Sequence, residues 1–309
     1  MMGEARESTG NALFAGGRYR LAMGLTALGE DEWLAPDADL RETLAAKRDL
    51  LATRRDDAFR FLPGAESPSA ELLQLLTVHL PRHYPAIYQL ADDLLRNCAT
   101  GETWELAASA LHPLDLAGRL VADDLCLLQS EAGSYRLVGA SLCAPNRWRL
   151  DERLGQPLAA IHAPVPGYGP ALERPVEHFF AALKPGRIVA RVNWGIADDP
   201  TRFQPVGRDA DPALAAADVG TALWLRVERQ SLRRLPQSGA IVFAIRTAIT
   251  RLDRALRTGD DARDMAGALR DMSPAMRRYK HIEAVAPALL DWLDARGQAP
   301  AIVRETTGG

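Results

Sequence analysis

Cysteine, histidine and any excess of one charge are scarce in this chain, and each scarcity closes off a class of function. Three cysteines, Cys98, Cys126 and Cys143, stand far apart in 309 residues. An odd, dispersed set supports neither a disulfide framework nor a Cys-rich zinc or iron–sulfur site, and buried free thiols are the expectation. Lys and Arg number 37 against 40 Asp and Glu, a formal net charge of -3. No global basic field therefore recommends nucleic acid or an anionic membrane as a partner. No stretch reaches the roughly 18 uninterrupted apolar residues of a membrane span, and residues 1–9 carry acids without an apolar run. A cytoplasmic protein acting on a small molecule or on another protein is expected. Gly-x-Ser-x-Gly, P-loop and Gly-x-Gly-x-x-Gly patterns are all missing, which removes the simplest hydrolase, kinase and dinucleotide readings.

What is present is apolar material, 47% of the chain, enough for a substantial core. The expectation is one domain over 1–309: an N-terminal helical part (1–103), a sheet-bearing core (104–252) and C-terminal helices (253–309). Apolar residues at helical spacing predict an amphipathic helix over 40–60 and a second over 67–80, capped by Ser67 or Ser69. Pro81 and Pro85 bracket a break, and a short helix is read over 87–95. Residues 124–129 and 135–143 flank the turn Glu131-Ala132-Gly133-Ser134 and form a hairpin. Strands follow over 187–196, 222–232 and 240–250, and a solvated loop over 207–219. Helices are expected over 260–270, 274–279 and 283–295, with a disordered tail at 306–309. The fold class is α+β, with an antiparallel sheet of about five strands interrupted by short helices and flanked by helices on both sides.

None of the six histidines pairs at the spacing of a zinc-binding helix without interruption. His79 and His83 are four apart, but Pro81 between them breaks the expected helix, so their spacing reads as chance. His162 stands on Ala160-Ile161-His162-Ala163-Pro164-Val165-Pro166-Gly167-Tyr168. Its two prolines end any helix just after the imidazole and bias Ala163 and Val165 toward extended backbone. It is either a ligand or an ordinary capping residue. Strand alternation puts Arg226, Glu228 and Gln230 on one face, with Arg246 on the neighbouring strand near them and Trp194, Trp224 and Phe243 around. They line a polarised pocket or pair across strands on a solvated face. Arg147 and Arg149, around Trp148, suit a cofactor carboxylate or a solvated helix start. Arg229, Arg233 and Arg234 suit an acidic partner or a solvated strand end.

Several ordered motifs carry a family likeness. They are Met23-Gly24-Leu25, Leu137-Val138-Gly139-Ala140-Ser141-Leu142-Cys143, Asn146-Arg147-Trp148-Arg149-Leu150, Leu154-Gly155-Gln156-Pro157-Leu158, the His162 stretch, Asn193-Trp194, the run LRVERQSLRRLP from Leu225 to Pro236, and Tyr279-Lys280. Together, over most of the chain, they resemble the haem-dependent oxidative N-demethylase family, which includes the haem (alpha) subunit of dimethylamine monooxygenase. His83 stands where the family pattern has Arg before the aromatic, and His281 where a glycine is more typical. The resemblance implies a PAS-like sheet holding haem b, with His162 as the iron ligand and Arg147, Arg149, Tyr168 and Trp194 near the cofactor. Glu228 would be the ammonium partner, with Arg226, Arg229 or Arg246 as donors to oxygen or to the haem carboxylates. It also implies a small methylated amine and O2 as substrates, and reductase or electron-transfer subunits carrying FMN, 2Fe-2S, NADPH and tetrahydrofolate. A haem-PAS gas or redox sensor, or a binding module without turnover, is the alternative.

Overall fold

The computed structural model describes residues 13–298 except Ala15 and Ala132. The acidic start at 1–9 and the tail at 306–309 lie outside the described residues. In chain order the strands are β1 (Thr26–Leu28), β2 (Phe59–Phe61), β3 (Tyr88–Ala91), β4 (Leu94–Asn97), β5 (Thr103–Glu105), β6 (Asp124–Glu131), β7 (Ser134–Ser141), β8 (Ile188–Ala197), β9 (Trp224–Arg234) and β10 (Ile241–Arg251). The main helices, with two short ones at the site, are α1 (Leu40–Thr53), α2 (Glu66–His83), α3 (Pro113–Leu120), α4 (Leu158–His162), α5 (Arg174–Ala182), α6 (Gly259–Asp271), α7 (Pro274–Tyr279) and α8 (Ala286–Gln298).

The fold is α+β, and its main sheet has seven strands rather than five, in the order β1-β8-β9-β10-β6-β7-β2. The five long central strands are those legible as alternating or apolar runs. The three-residue edge strands β1 and β2 are too short to show a period of two. All pairings are antiparallel. A second sheet, β3-β4-β5, occupies the region read as a helix over 87–95. Asp92 at φ 52° turns the chain between β3 and β4, and Ile87, Leu90, Leu94 and Leu95 matched a helical period by coincidence.

Each face of the main sheet buries a different layer. Leu125, Leu127, Val242, Ala244 and Ile188 pack with Leu51, Leu72, Leu76, Leu80 and Leu120 of α1, α2 and α3. Each fully buried leucine stabilises the fold by about 2 kcal/mol. Cys126, Leu128, Leu137, Leu232 and Ile241 face the other way, toward Leu150, Leu158 and Phe180 from the segment between β7 and β8. A third cluster joins Trp194, Ile196 and Leu225 to α6, α7 and α8 through Met265, Leu269, Met276 and Leu289.

Two local expectations are corrected. First, α2 begins at Glu66 with Ala65 before it, and Ser69 Oγ donates back to the Ala65 carbonyl instead of capping. The helix also continues through Pro81 to His83. Pro81 lies in the last turn, where its missing N–H deprives only the Thr77 carbonyl, and the Tyr84 N–H still reaches the Leu80 carbonyl at 2.8 Å. Burial keeps His79 on this helix neutral, its pKa pushed down to about 4. Second, Cys98 is exposed, and only Cys126 and Cys143 are buried free thiols, whereas the 207–219 loop is mostly exposed as expected, with Ala210 and Val219 as its buried anchors.

Candidate functional site

A cavity of about 610 Å³ lies between the β6–β10 face and the segment that carries α4 and α5, within the size range of cofactor and ligand sites. Register determines what faces it. Glu228 pairs with Asn193, Gln230 with Arg191 and Arg226 with Gly195 across β9 and β8. On the other side, Leu232 pairs with Phe243 and Gln230 with Ile245. These residues all line the cavity, with Leu128, Leu137, Leu158 and Phe179 supplying apolar wall.

His162 ends α4, as its prolines predict, and lines the cavity. The corner is a tight turn and not an extended strand. Ala163 stays helical at φ -52°, ψ -34°, despite preceding Pro164, and the Val165 N–H closes on the His162 carbonyl at 2.9 Å. The imidazole Nδ1 lies 2.8 Å from the Leu158 carbonyl. A carbonyl only accepts, so Nδ1 carries the proton and Nε2 has a free lone pair. Burial lowers the His162 pKa, which favours that neutral ring. Tyr168 stacks on it, ring centroids 4.7 Å apart and planes at 12°.

The polar floor is desolvated. Arg226 is 2% and Glu228 6% exposed. Arg226 Nε donates to Glu228 Oε1 at 3.0 Å, and its other nitrogens donate to the carbonyls of Ala144 and Arg202. Ala144 is itself held, because its N–H and that of Cys143 donate to buried Asp124 at 2.7 and 2.8 Å. Glu228 Oε2 accepts from Gln230 at 3.0 Å and from Asn193 at 3.4 Å. These contacts bind the carboxylate on both sides, so the solvated-face alternative does not apply to this patch.

Among the remaining candidates, Arg147 lines the cavity in the left-handed region at φ 62°. Its Nη2 is 3.6 Å from Asp198, while its Nη1 is buried without a partner. Trp194 borders the cavity, packs edge-on against Phe14, and accepts from Lys280 through its carbonyl. Arg149 lies away from the cavity and forks onto Asp151 at the surface. Arg246 is on the opposite face: it pairs with Arg229 in the ladder and holds Asp37. The expected nearness of Arg246 to Glu228 fails by one residue of register, since Thr247 is the residue opposite Glu228. Arg229, Arg233 and Arg234 are all engaged within the chain, at Glu32, Glu30 and Leu183.

Two cations beyond the expected set also line the cavity. Arg191 lines the cavity with a guanidinium that makes no hydrogen bond or ion pair among the described residues, and burial lowers its pKa. Its signal was parity with Asn193 on β8. Lys280, just past α7, lies half-buried against the same floor and donates to the Trp194 carbonyl at 2.6 Å and to Asn193 Oδ1 at 3.3 Å. Desolvation lowers its pKa to about 8.

A family model described as haem-dependent oxidative N-demethylase, alpha subunit-like, matches residues 24–290. The chain belongs to this family. Membership in the haem-dependent oxidative N-demethylase alpha subunit-like family indicates haem dependence, an enzyme of the oxidative N-demethylase kind, and a place among partner subunits. No helix among the described residues is long and apolar enough to cross a membrane. The cavity's chemistry fits a haem, a flat apolar ring with two carboxylates. It offers apolar walls, one bare imidazole nitrogen, and guanidinium groups at Arg147 and Arg191 that lack a full set of partners.

Proposed function

We propose that this chain is the haem subunit of a multi-component monooxygenase that oxidatively removes a methyl group from a small methylated amine such as dimethylamine. One observation carries this reading: the Leu158 carbonyl accepts a hydrogen bond from the Nδ1–H of His162, leaving Nε2 bare on the wall of a largely apolar cavity. Haem b would be held there by His162 as the iron ligand, and its carboxylates would be met by Arg147 and Arg191. When bound, the haem supplies the oxygen chemistry. The five central strands are, in this reading, a PAS-like core within one domain over 1–309, and the protein acts in the cytoplasm.

The chain's own residues bind and orient the amine. A secondary amine is protonated near neutrality, and the Glu228 carboxylate is the anion of the cavity floor, fixed by Arg226, Gln230 and Asn193. Lys280 holds the β8 backbone beside it. Arg149 and Arg246, which do not reach the cavity, take no part. Dimethylamine, one O2, two electrons and two protons balance to methylamine, formaldehyde and water. The electrons would come from partner polypeptides, to which FMN, the 2Fe-2S cluster, NADPH and tetrahydrofolate are assigned.

The purified chain, loaded with haem, is expected to show a Soret band that shifts on addition of dimethylamine and to release formaldehyde when a reductase is supplied. A Soret band with no amine-induced shift and no formaldehyde would reduce the reading to a sensor. Protein that stays colourless after haem supplementation would remove it altogether.

A further inference from the structure

A second cluster of ligand side chains stands on the opposite face of the main sheet from the cavity. His79 and His83 project from successive turns at the C-terminal end of α2, ring centroids 4.5 Å apart. Glu30 meets them from the turn Glu30–Glu32 that follows β1. One ligand atom from each of Glu30, His79 and His83 lies within 4.8 Å of the other two. His79 is buried, His83 half-buried and the Glu30 side chain exposed, so the cluster is rooted in the core and open to solvent at its outer end.

The hydrogen bonding at His79 leaves a mismatch. Its Nε2 lies 3.2 Å from the Trp33 carbonyl, which also accepts the Tyr84 hydroxyl at 2.7 Å. That carbonyl can only accept, so in the neutral ring the proton is on Nε2 and the Nδ1 lone pair points out. What Nδ1 faces is a carboxylate oxygen, Glu30 Oε2, at 3.5 Å. The Nδ1 lone pair is therefore left without a donor, and although Arg233 pairs with this same Glu30 oxygen at 2.6 Å, a cation could bridge the imidazole to the carboxylate. A ring N–H donated to a backbone carbonyl is also the usual outer support of a metal-ligating histidine, because it fixes the tautomer and orientation.

We propose that Glu30, His79 and His83 bind one first-row divalent cation of the zinc class. Two imidazole nitrogens and one carboxylate suit Zn²⁺, with the fourth position left to water at the exposed side. Arg233 also pairs with Glu30, through Oε2 at 2.6 Å, while lying over the Trp33 ring at 4.5 Å. The carboxylate has a second oxygen, so ion pairing and ligation coexist on one side chain. The metal would tie the segment after β1 to the end of α2, two pieces that flank α1, β2 and most of α2 in the chain.

Isothermal titration of the chelator-treated full chain with ZnCl2 tests this, with metal content checked by mass spectrometry after desalting. One equivalent is expected for wild type and for His162→Ala. His83→Ala, at a half-buried position and with its fold checked by circular dichroism, is expected to weaken binding by more than the 10–100-fold typical of losing an outer support. Glu30→Gln is expected to weaken it in the same direction. Absence of a one-equivalent site in wild type would overturn the proposal, as would binding that survives unchanged in both His83→Ala and Glu30→Gln. Zinc lost only in His162→Ala would overturn it too, by placing the ion in the cavity.

Discussion

The Nδ1 of His162 lies 2.8 Å from the carbonyl oxygen of Leu158, one turn earlier in the same short helix. Because the partner is backbone, no side-chain substitution at 158 abolishes it, and the tautomer is built into α4 itself. The ligand role proposed for Nε2 then rests on His162 alone. His162→Ala is expected to lower haem affinity at least about tenfold, the smaller loss seen even when only an outer support is removed. Absorption spectra and a haem-to-protein ratio check this, with circular dichroism confirming an intact fold. Stoichiometric haem in the variant would assign the iron to another residue.

Arg226 and Glu228 form the most deeply buried ion pair of the cavity floor. Such pairs are sensitive to removal of one partner, because the survivor is left charged and desolvated. Glu228→Ala is expected to destabilise the protein by about 3–5 kcal/mol in urea denaturation. The double variant Arg226→Met with Glu228→Leu should recover much of this loss. A cost for Glu228→Ala of under about 1 kcal/mol, the range of an exposed pair, would show that water reaches the floor freely.

The sheet and the His162 corner were legible in the sequence for different reasons. Strands such as β8 alternate Ile188, Ala190 and Val192 against Val189, Arg191 and Asn193 because both faces are committed to different surroundings. Pairing register is a property of two strands at once, and alternation within each cannot supply it. Arg246 therefore appeared beside Glu228 when the ladder sets it opposite Arg229. The pairing of His79 with His83 was hidden by Pro81, whose effect depends on how near the helix end it falls. Lys280 was visible only as part of Tyr279-Lys280, since its burial depends on α7 closing over the ends of β8 and β9.

Gly118 sits inside α3, where glycine is ordinarily about 1 kcal/mol worse than alanine. Its place is explained by Ser141 at the end of β7. A Cβ at Gly118 would stand 2.5 Å from the Ser141 Cβ, and closer still to its hydroxyl. Ser141 is fully buried and has little room to retreat. Gly118→Ala is therefore expected to destabilise by about 1–3 kcal/mol through overpacking, against the helix-propensity gain. Thermal denaturation reads this out, and Ser141→Gly in the same chain should restore most of the loss. A Gly118→Ala protein as stable as wild type would mean that α3 and β7 separate easily.

Lys280 gives a pH dependence with a definite sign. Burial lowers its pKa from 10.5 to about 8, so between those values the unfolded chain binds more protons than the folded one. Stability contributed at this site therefore rises as pH increases from about 8 toward 10.5. Below about 8 the lysine is charged in both states and the net cost of holding it charged in the fold, on the order of 3 kcal/mol at most for a depression of this size, is present. Lys280→Met removes the titration and leaves a constant offset from the unmet Trp194 carbonyl. The difference in unfolding free energy, wild type minus Lys280→Met, is expected to climb across pH 8 to 10 by at most about 1.4 kcal/mol per pH unit. Parallel stability curves over that range would mean that Lys280 keeps an ordinary pKa, and that water, not the Trp194 carbonyl and Asn193, solvates its ammonium group.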